Sequence, residues 1–191
     1  SIIVDELSSN NLSLQIDING SSIEELTGSI YIEANHLDIT PWLDSVLVVD
    51  NANTKADVGF SAWLKVKTGS IERLQVSLHE NLMNWQTAGK DHSLVLSEGQ
   101  LLLVKGKESG TLKLYSTPLV LQFDEQEKRE YIVQLNKTAH DYSIYLSTFD
   151  LALISQVSPL FINTKQMRKH LSELNFNGQV NEIYFKEVSG K

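Results

Sequence analysis

Hydrophobic and polar positions alternate with a period of two along most of this chain. In Asn11 to Gly20, NLSLQIDING, Leu12, Leu14, Ile16 and Ile18 fall on one side and Ser13, Gln15, Asp17 and Asn19 on the other. Successive side chains of a strand point to opposite faces, so this pattern predicts a strand with one dry and one wet face. The stretch that organises the rest is Leu26 to Leu43, LTGSIYIEANHLDITPWL. Ile30, Ile32 and Ala34 alternate with Tyr31, Glu33 and Asn35. Thr40-Pro41 then predicts a short helix, because proline at the first helical position forfeits no hydrogen bond. Trp42, Leu43, Val46 and Leu47 are expected to face inward.

The same period continues downstream. Asp50 to Asp57 reads as a polar loop. Val58 to Lys67 alternates again, with Val58, Phe60, Ala62, Leu64 and Val66 on one side and Trp63, Lys65 and Lys67 on the other. Thr68-Gly69-Ser70 turns the chain into Ile71 to Leu78. Further strands are expected at Leu82 to Thr87, Ser93 to Leu96, Gln100 to Lys105, Thr111 to Tyr115, Leu119 to Phe123 and Tyr131 to Leu135. The turn signals between them are Ala88 to Asp91, Ser97-Glu98-Gly99, Gly106 to Gly110 and Asp124 to Glu130. Pro118 belongs at a strand start or edge, since it cannot donate to a ladder. The centre therefore reads as a run of short antiparallel hairpins.

Ser143 to Leu153 forms a second copy of the opening unit, with Ser155 to Phe161 in place of the Pro-Trp-Leu turn. Asn163 to Leu174 predicts a helix: Asn163 can cap it, Gln166 completes a capping box, and Met167, Leu171 and Leu174 form a stripe. Asn177-Gly178 ends it before a last strand, Val180 to Val188. A smaller echo recurs at Ser22 to Leu26, Ser70 to Leu74 and Gln179 to Ile183, a β-branched residue three before Leu or Ile. It reads as one repeated way of entering a strand.

Composition changes the picture mainly by exclusion. The 191 residues are 41% hydrophobic and 21% charged, which is ordinary folded material. The net charge of -8, with positive residues scattered, argues against a nucleic-acid surface. There is no cysteine, which excludes disulfides, thiolate metal sites and cysteine nucleophiles. His36, His79, His92, His140 and His170 have no ligand spacing. Asp38 and Asp44 flank the Pro41 turn, where an aspartate caps free N–H groups. Gly106 to Gly110 lacks the Gly-Lys-Ser/Thr order of a phosphate loop. No Gly-x-Ser-x-Gly is present. We expect no enzyme, no cofactor, no metal and no nucleic-acid partner. No run approaches the roughly 18 apolar residues of a membrane span.

Gly28-x-Ile30-x-Ile32 followed by Leu37-Asp38-Ile39-Thr40-Pro41-Trp42-Leu43 resembles the YhdP family of AsmA-like envelope proteins, in which a strand leads into a Leu-Asp-Leu-x-Pro-Trp-Leu element. Met167 to Phe185 is similar to a second family element, a helix running into Gly-x-Leu-x-x-Leu. Asp150-Leu151-Ala152-Leu153 departs from the first, having no Pro-Trp after it. The resemblance implies a mainly β fold: a curved antiparallel sheet, an AsmA-like groove or open sandwich, with two short helical elements. It implies that residues 1–191 are one repeat-containing domain excised from a much longer periplasmic protein, anchored in the inner membrane of a Gram-negative bacterium. Its implied task is a hydrophobic groove for phospholipid passing between inner and outer membranes, supporting the permeability barrier. The groove candidates are Leu12, Leu14, Ile16, Ile18, Ile30, Ile32, Phe60, Leu64 and Val66. The motif residues Leu37, Asp38, Ile39, Pro41, Trp42 and Leu43 are structural, and the partners are phospholipid and neighbouring repeats. The alternative is a non-catalytic β-sandwich scaffold that contacts protein or glycan through Trp63, Tyr31 and Tyr145.

Overall fold

The computed structural model describes residues 2–8, 11–43, 54–87, 89–106, 108, 110–151, 153, 157, 160 and 178–188. The alternating pattern folds into thirteen strands of one curved antiparallel sheet. They are β1 (Ile2–Ser8), β2 (Leu12–Asn19), β3 (Thr27–Asp38), β4 (Lys55–Lys67), β5 (Ser70–Leu78), β6 (Asn81–Thr87) and β7 (Lys90–Lys105). There follow β8 (Leu112–Ser116), β9 (Leu119–Phe123), β10 (Arg129–Tyr131), β11 (Val133–Lys137), β12 (Asp141–Asp150) and β13 (Gln179–Val188). The main path runs β1-β2-β3-β4-β5-β7-β8-β11-β12-β13, with β6, β9 and β10 beside it. Helix α1 (Thr40–Leu43) forms where the Thr40-Pro41 signal places it. The expected helix at Asn163 to Leu174, with Val46, Leu47 and Asp44, lies outside the described residues.

Two long strands give the sheet its shape, and one of them replaces the hairpin expected at Ser97-Glu98-Gly99. Ser97-Glu98-Gly99 is not a turn: β7 runs through it unbroken for 16 residues. What changes there is the partner. Before this point β7 pairs with β6 and β9, and beyond it with β5 and β8. A register shift between Leu96 and Glu98 absorbs the mismatch. Strand β4 forks likewise, pairing with β6 through Lys55 to Asp57 and with β5 from Phe60 onward. Lys55 to Asp57 therefore belong to a strand, not to the expected loop.

Side chains close the backbone gaps that the forks open. A buried amide without a partner is costly, so each junction needs a substitute acceptor or donor. Between β5 and β6, the Gly59 amide donates to Asn81 Oδ1 at 3.1 Å and Asn81 Nδ2 donates to the His79 carbonyl at 2.7 Å. Between β8 and β9, the Gln100 amide donates to Thr117 Oγ1 at 2.8 Å. Tyr131 to Leu135 was expected as one strand but breaks at Ile132 into β10 and β11. There the Ile132 and Val133 amides donate to Ser147 Oγ and Ser116 Oγ, both at 2.8 Å.

The turn chemistry holds elsewhere. Thr68 and Gly69 both have positive φ, 47° and 66°, as a two-residue type I′ hairpin requires. Gly28 sits where β3 crowds β2, and a Cβ there would collide with the backbone oxygen of Asp17. The three echoed segments do not share one local structure. Ile23–Glu25 is a 3-10 turn ahead of β3, whereas Ser70 and Gln179 already begin strands.

The described strands form one sheet, and no second sheet faces it among the described residues. The buried cluster lies at one end, where Trp85, Phe123 and Leu160 meet, with Leu43, Met83, Leu94, Leu153 and Val157 packed around them.

Candidate functional site

Direct cross-strand partners share a face, so the register fixes what each face presents. Starting from β2, Ile16 stands beside Ile30, Ile30 beside Leu64, and Leu64 beside Leu74. Leu74 pairs with Leu103, Leu103 with Leu114, and Leu114 with Leu135. Leu135 meets Ile144, and Ile144 meets Phe185. One apolar row thus crosses nine consecutive strands, from β2 to β13. At about 4.8 Å per strand it is some 38 Å long. A parallel row through Leu14, Ile32, Ala62, Val76 and Leu101 lies beside it.

All nine groove candidates lie on this face. Ile16, Ile30 and Leu64 belong to the first row, and Leu14 and Ile32 to the second. Ile18 and Val66 flank Gly28, while Leu12 and Phe60 flank Ala34. Ala34 and Ala62 are buried, Leu12 is exposed, and the other eight candidates are half-buried. The sequence named candidates only as far as Val66, but the row continues through the second half of the chain.

Beside the row, where β6 and β9 extend the sheet, lies the sealed cluster, to which both copies of the opening unit contribute. The first copy, β3 and α1, contributes Leu43. The second, β12 and the helical residues beyond it, contributes Leu153, Val157 and Leu160. Trp85 is only 2% exposed and lies 5.9 Å from Phe123 and 5.6 Å from His92, centroid to centroid. His92 Nδ1 meets Asp124 Oδ2 at 3.1 Å, and Asp124 Oδ1 accepts from the Ser93 amide at 2.8 Å. Sequence offered no signal for this pair, since 32 positions separate the two residues. They border a cavity of about 860 Å³. Among the described residues no group of three or more His, Asp or Glu gathers to hold a metal ion.

The motif residues divide by task. The Thr40 hydroxyl and amide both hydrogen-bond the Asp38 carboxylate, and these bonds, with Lys55 nearby, hold it below the usual carboxylate range. The Ile39 amide donates to the Ala56 carbonyl at 2.9 Å, and the Ala56 amide donates to Thr40 Oγ1 at 3.0 Å. Leu37 is half-buried beside Val58, and Pro41 is exposed. Trp42 was expected inward, but it is 60% exposed. Adjacent helical residues point about 100° apart, and in a single turn Leu43 takes the inward direction. At the matching end of β12, Arg129 Nη1 holds Asp150 Oδ2 at 2.5 Å. Burial is the main cause that raises the Tyr131 hydroxyl above its ordinary value, followed by the Asp150 charge.

The opposite face carries a different row. Gln15 pairs with Tyr31, Tyr31 with Trp63, and Trp63 with Gln75. Gln75 pairs with Leu102, Leu102 with Tyr115, and Tyr115 with Gln134. Gln134 pairs with Tyr145, and Tyr145 with Tyr184. Trp63 does project away from the apolar row, as expected, and its ring lies 5.0 Å from that of Tyr31.

A family profile described as "YhdP protein" matches residues 1–190, nearly the whole chain. The chain belongs to the YhdP family of AsmA-like envelope proteins. The resemblance read from Leu37 to Leu43 thus extends over both copies of the strand-and-turn unit. No match was found among curated proteins or among solved structures. Among the described residues, no helix is long and apolar enough to cross a membrane.

Proposed function

We propose that this chain is a non-catalytic segment of a periplasmic lipid conduit, offering its apolar face to phospholipid acyl chains. The observation that carries this reading is the unbroken apolar row across nine strands, whose side chains are half-buried or, at Phe185, exposed. Each buried CH₂ contributes about 0.8 kcal/mol, so a short acyl segment binds without any polar motif. A row of aliphatic side chains carries no fixed donors, so it holds a chain in any register and lets it slide, as transport requires. The path ends in two edge strands, β1 and β13, each with one neighbour among the described strands. Such edges template further pairing. Neighbouring repeats of a longer, inner-membrane-anchored parent would prolong the row toward the outer membrane, with residues 1–191 as one domain of it.

Site-specific photocrosslinking in the parent protein, in cells, tests this. Probes at Leu14, Ile30 and Leu64 should capture phospholipid, and probes at Gln15, Tyr31 and Lys65 should not. Capture from neither set in folded protein would return the apolar face to a purely structural role.

A further inference from the structure

On the face opposite the apolar row, exposed aromatics recur at a fixed interval. Trp63 in β4 is 47% exposed, Tyr115 in β8 40% and Tyr184 in β13 65%. Along the sheet path β8 is three strands beyond β4, and β13 is three strands beyond β8. At strand spacing each interval is about 14 Å. Each of these aromatics has a lysine two residues away on its own strand, hence on the same face: Lys65, Lys113 and Lys186. The register places the three lysines in one row. Lys65 pairs with Arg73, Arg73 with Val104, Val104 with Lys113, Lys113 with Asn136, Asn136 with Ser143, and Ser143 with Lys186. An aromatic and a lysine thus repeat three times along the sheet, with side-chain amides of Gln75 and Gln134 between the aromatics. At the first station a cleft of about 470 Å³ is lined by Trp63, Lys65, Arg73 and Gln75 together with Thr27 and Ser29.

We propose that this face binds a linear acidic polysaccharide laid across its aromatic–lysine stations. Aromatic rings present flat apolar faces that suit the C–H side of a sugar ring, while amides and hydroxyls suit its edge. Lysine is a compact point charge suited to a carboxylate. The spacing excludes a nucleic acid, which carries one charge per about 3.4 Å of each strand and calls for far denser cations. Lys65 pairs with Glu72 at 3.0 Å, an exposed bond that a polymer carboxylate would share. Three stations joined on one rigid sheet add their contributions through effective concentration. The proposal stands independently of the lipid reading, because it uses the other face.

The test is calorimetric titration of the full chain with hyaluronate oligosaccharides, which carry one carboxylate per disaccharide. Neutral cello-oligosaccharides and phosphatidylglycerol vesicles serve as the comparison probes. Wild-type protein is expected to bind hyaluronate and to bind the neutral oligomer at least tenfold more weakly. Trp63→Ala and the triple variant Lys65→Gln/Lys113→Gln/Lys186→Gln should each lose at least tenfold, with Trp63→Tyr retaining binding. Thermal unfolding verifies that each variant is folded, and Leu64→Ala on the other face should bind hyaluronate as wild type does. No hyaluronate binding, equal binding by the variants, or binding of the vesicles alone would overturn the proposal.

Discussion

Two regions of the apolar face obey different rules. In one, Trp85, Phe123 and Leu160 are buried from every side, because two strand-and-helix units fold onto them. Along the nine-strand row the side chains are just as apolar but half-buried or, at Phe185, exposed. Leu103 and Trp85 both belong to the apolar pattern, yet Trp85 is fully buried and Leu103 only half-buried. Alternation specifies which face is apolar; it does not specify whether anything closes over it. That second property depends on where the chain places a covering element, and among the described residues Leu43, Leu153, Val157 and Leu160 cover Trp85.

This contrast sets an order of expected effects. Trp85→Ala should destabilise the fold most, by about 3–5 kcal/mol, through lost burial and a cavity that cannot collapse. Leu103→Ala in the row should cost less, about 2 kcal/mol, since Leu103 is only half-buried. Urea unfolding of both variants checks the ratio. Comparable losses would mean the row is as sealed as the cluster. Trp85→Phe should cost less than Trp85→Ala for a further reason. The Trp85 indole N–H is buried without an acceptor among the described residues, and phenylalanine keeps an aromatic ring while removing that donor.

Asp150→Ala comes next. It strips the partner from Arg129 at the entry to the second unit, and a charge-assisted bond of this kind is worth about 1.5–3 kcal/mol. The variant should loosen the lid over Trp85 and leave the open row unchanged. Hydrogen exchange of β6 and β9, compared with β2 and β5, reads the difference.

The smallest effect is expected from Asp38 in the first unit. Bonds from the Thr40 hydroxyl and amide hold its folded pKa below the ordinary aspartate value. Its contribution is therefore fully present above the ordinary aspartate range and is lost as pH falls through the lowered folded value. Below both values it contributes nothing. Wild type and Asp38→Asn should accordingly differ in melting temperature at neutral pH and converge under strongly acid conditions. A difference that persisted unchanged in acid would dismiss this role.

Much of the sheet was legible in the sequence because a period of two is a local property. Leu12 to Ile18, Ile30 to Ala34 and Phe60 to Val66 declare their faces without reference to any partner. The forks were not legible. Ser97-Glu98-Gly99 carries turn residues, but their use here is to let β7 exchange one pair of neighbours for another. Trp42 misled for a different reason: its size marks it as a core anchor, whereas direction within a single helical turn decides. The sealed cluster was hidden because Trp85, Phe123 and Leu160 are brought together only by register and by the second unit. The aromatic row on the other face was visible at Trp63, Tyr31 and Tyr145, and its extension to Tyr115 and Tyr184 required the pairing of nine strands.

Openness along the row, against closure over Trp85, decides the conduit reading. Because the chain has no cysteine, single thiols report on it cleanly. Leu103→Cys, Leu114→Cys and Leu135→Cys would sample the row, and Phe123→Cys the cluster. The measurement is the rate of maleimide labelling with and without phospholipid micelles. The account predicts fast labelling along the row, slowed by phospholipid, and slow labelling at position 123 under both conditions. Row thiols as slow as the one at position 123 in the absence of lipid would contradict it.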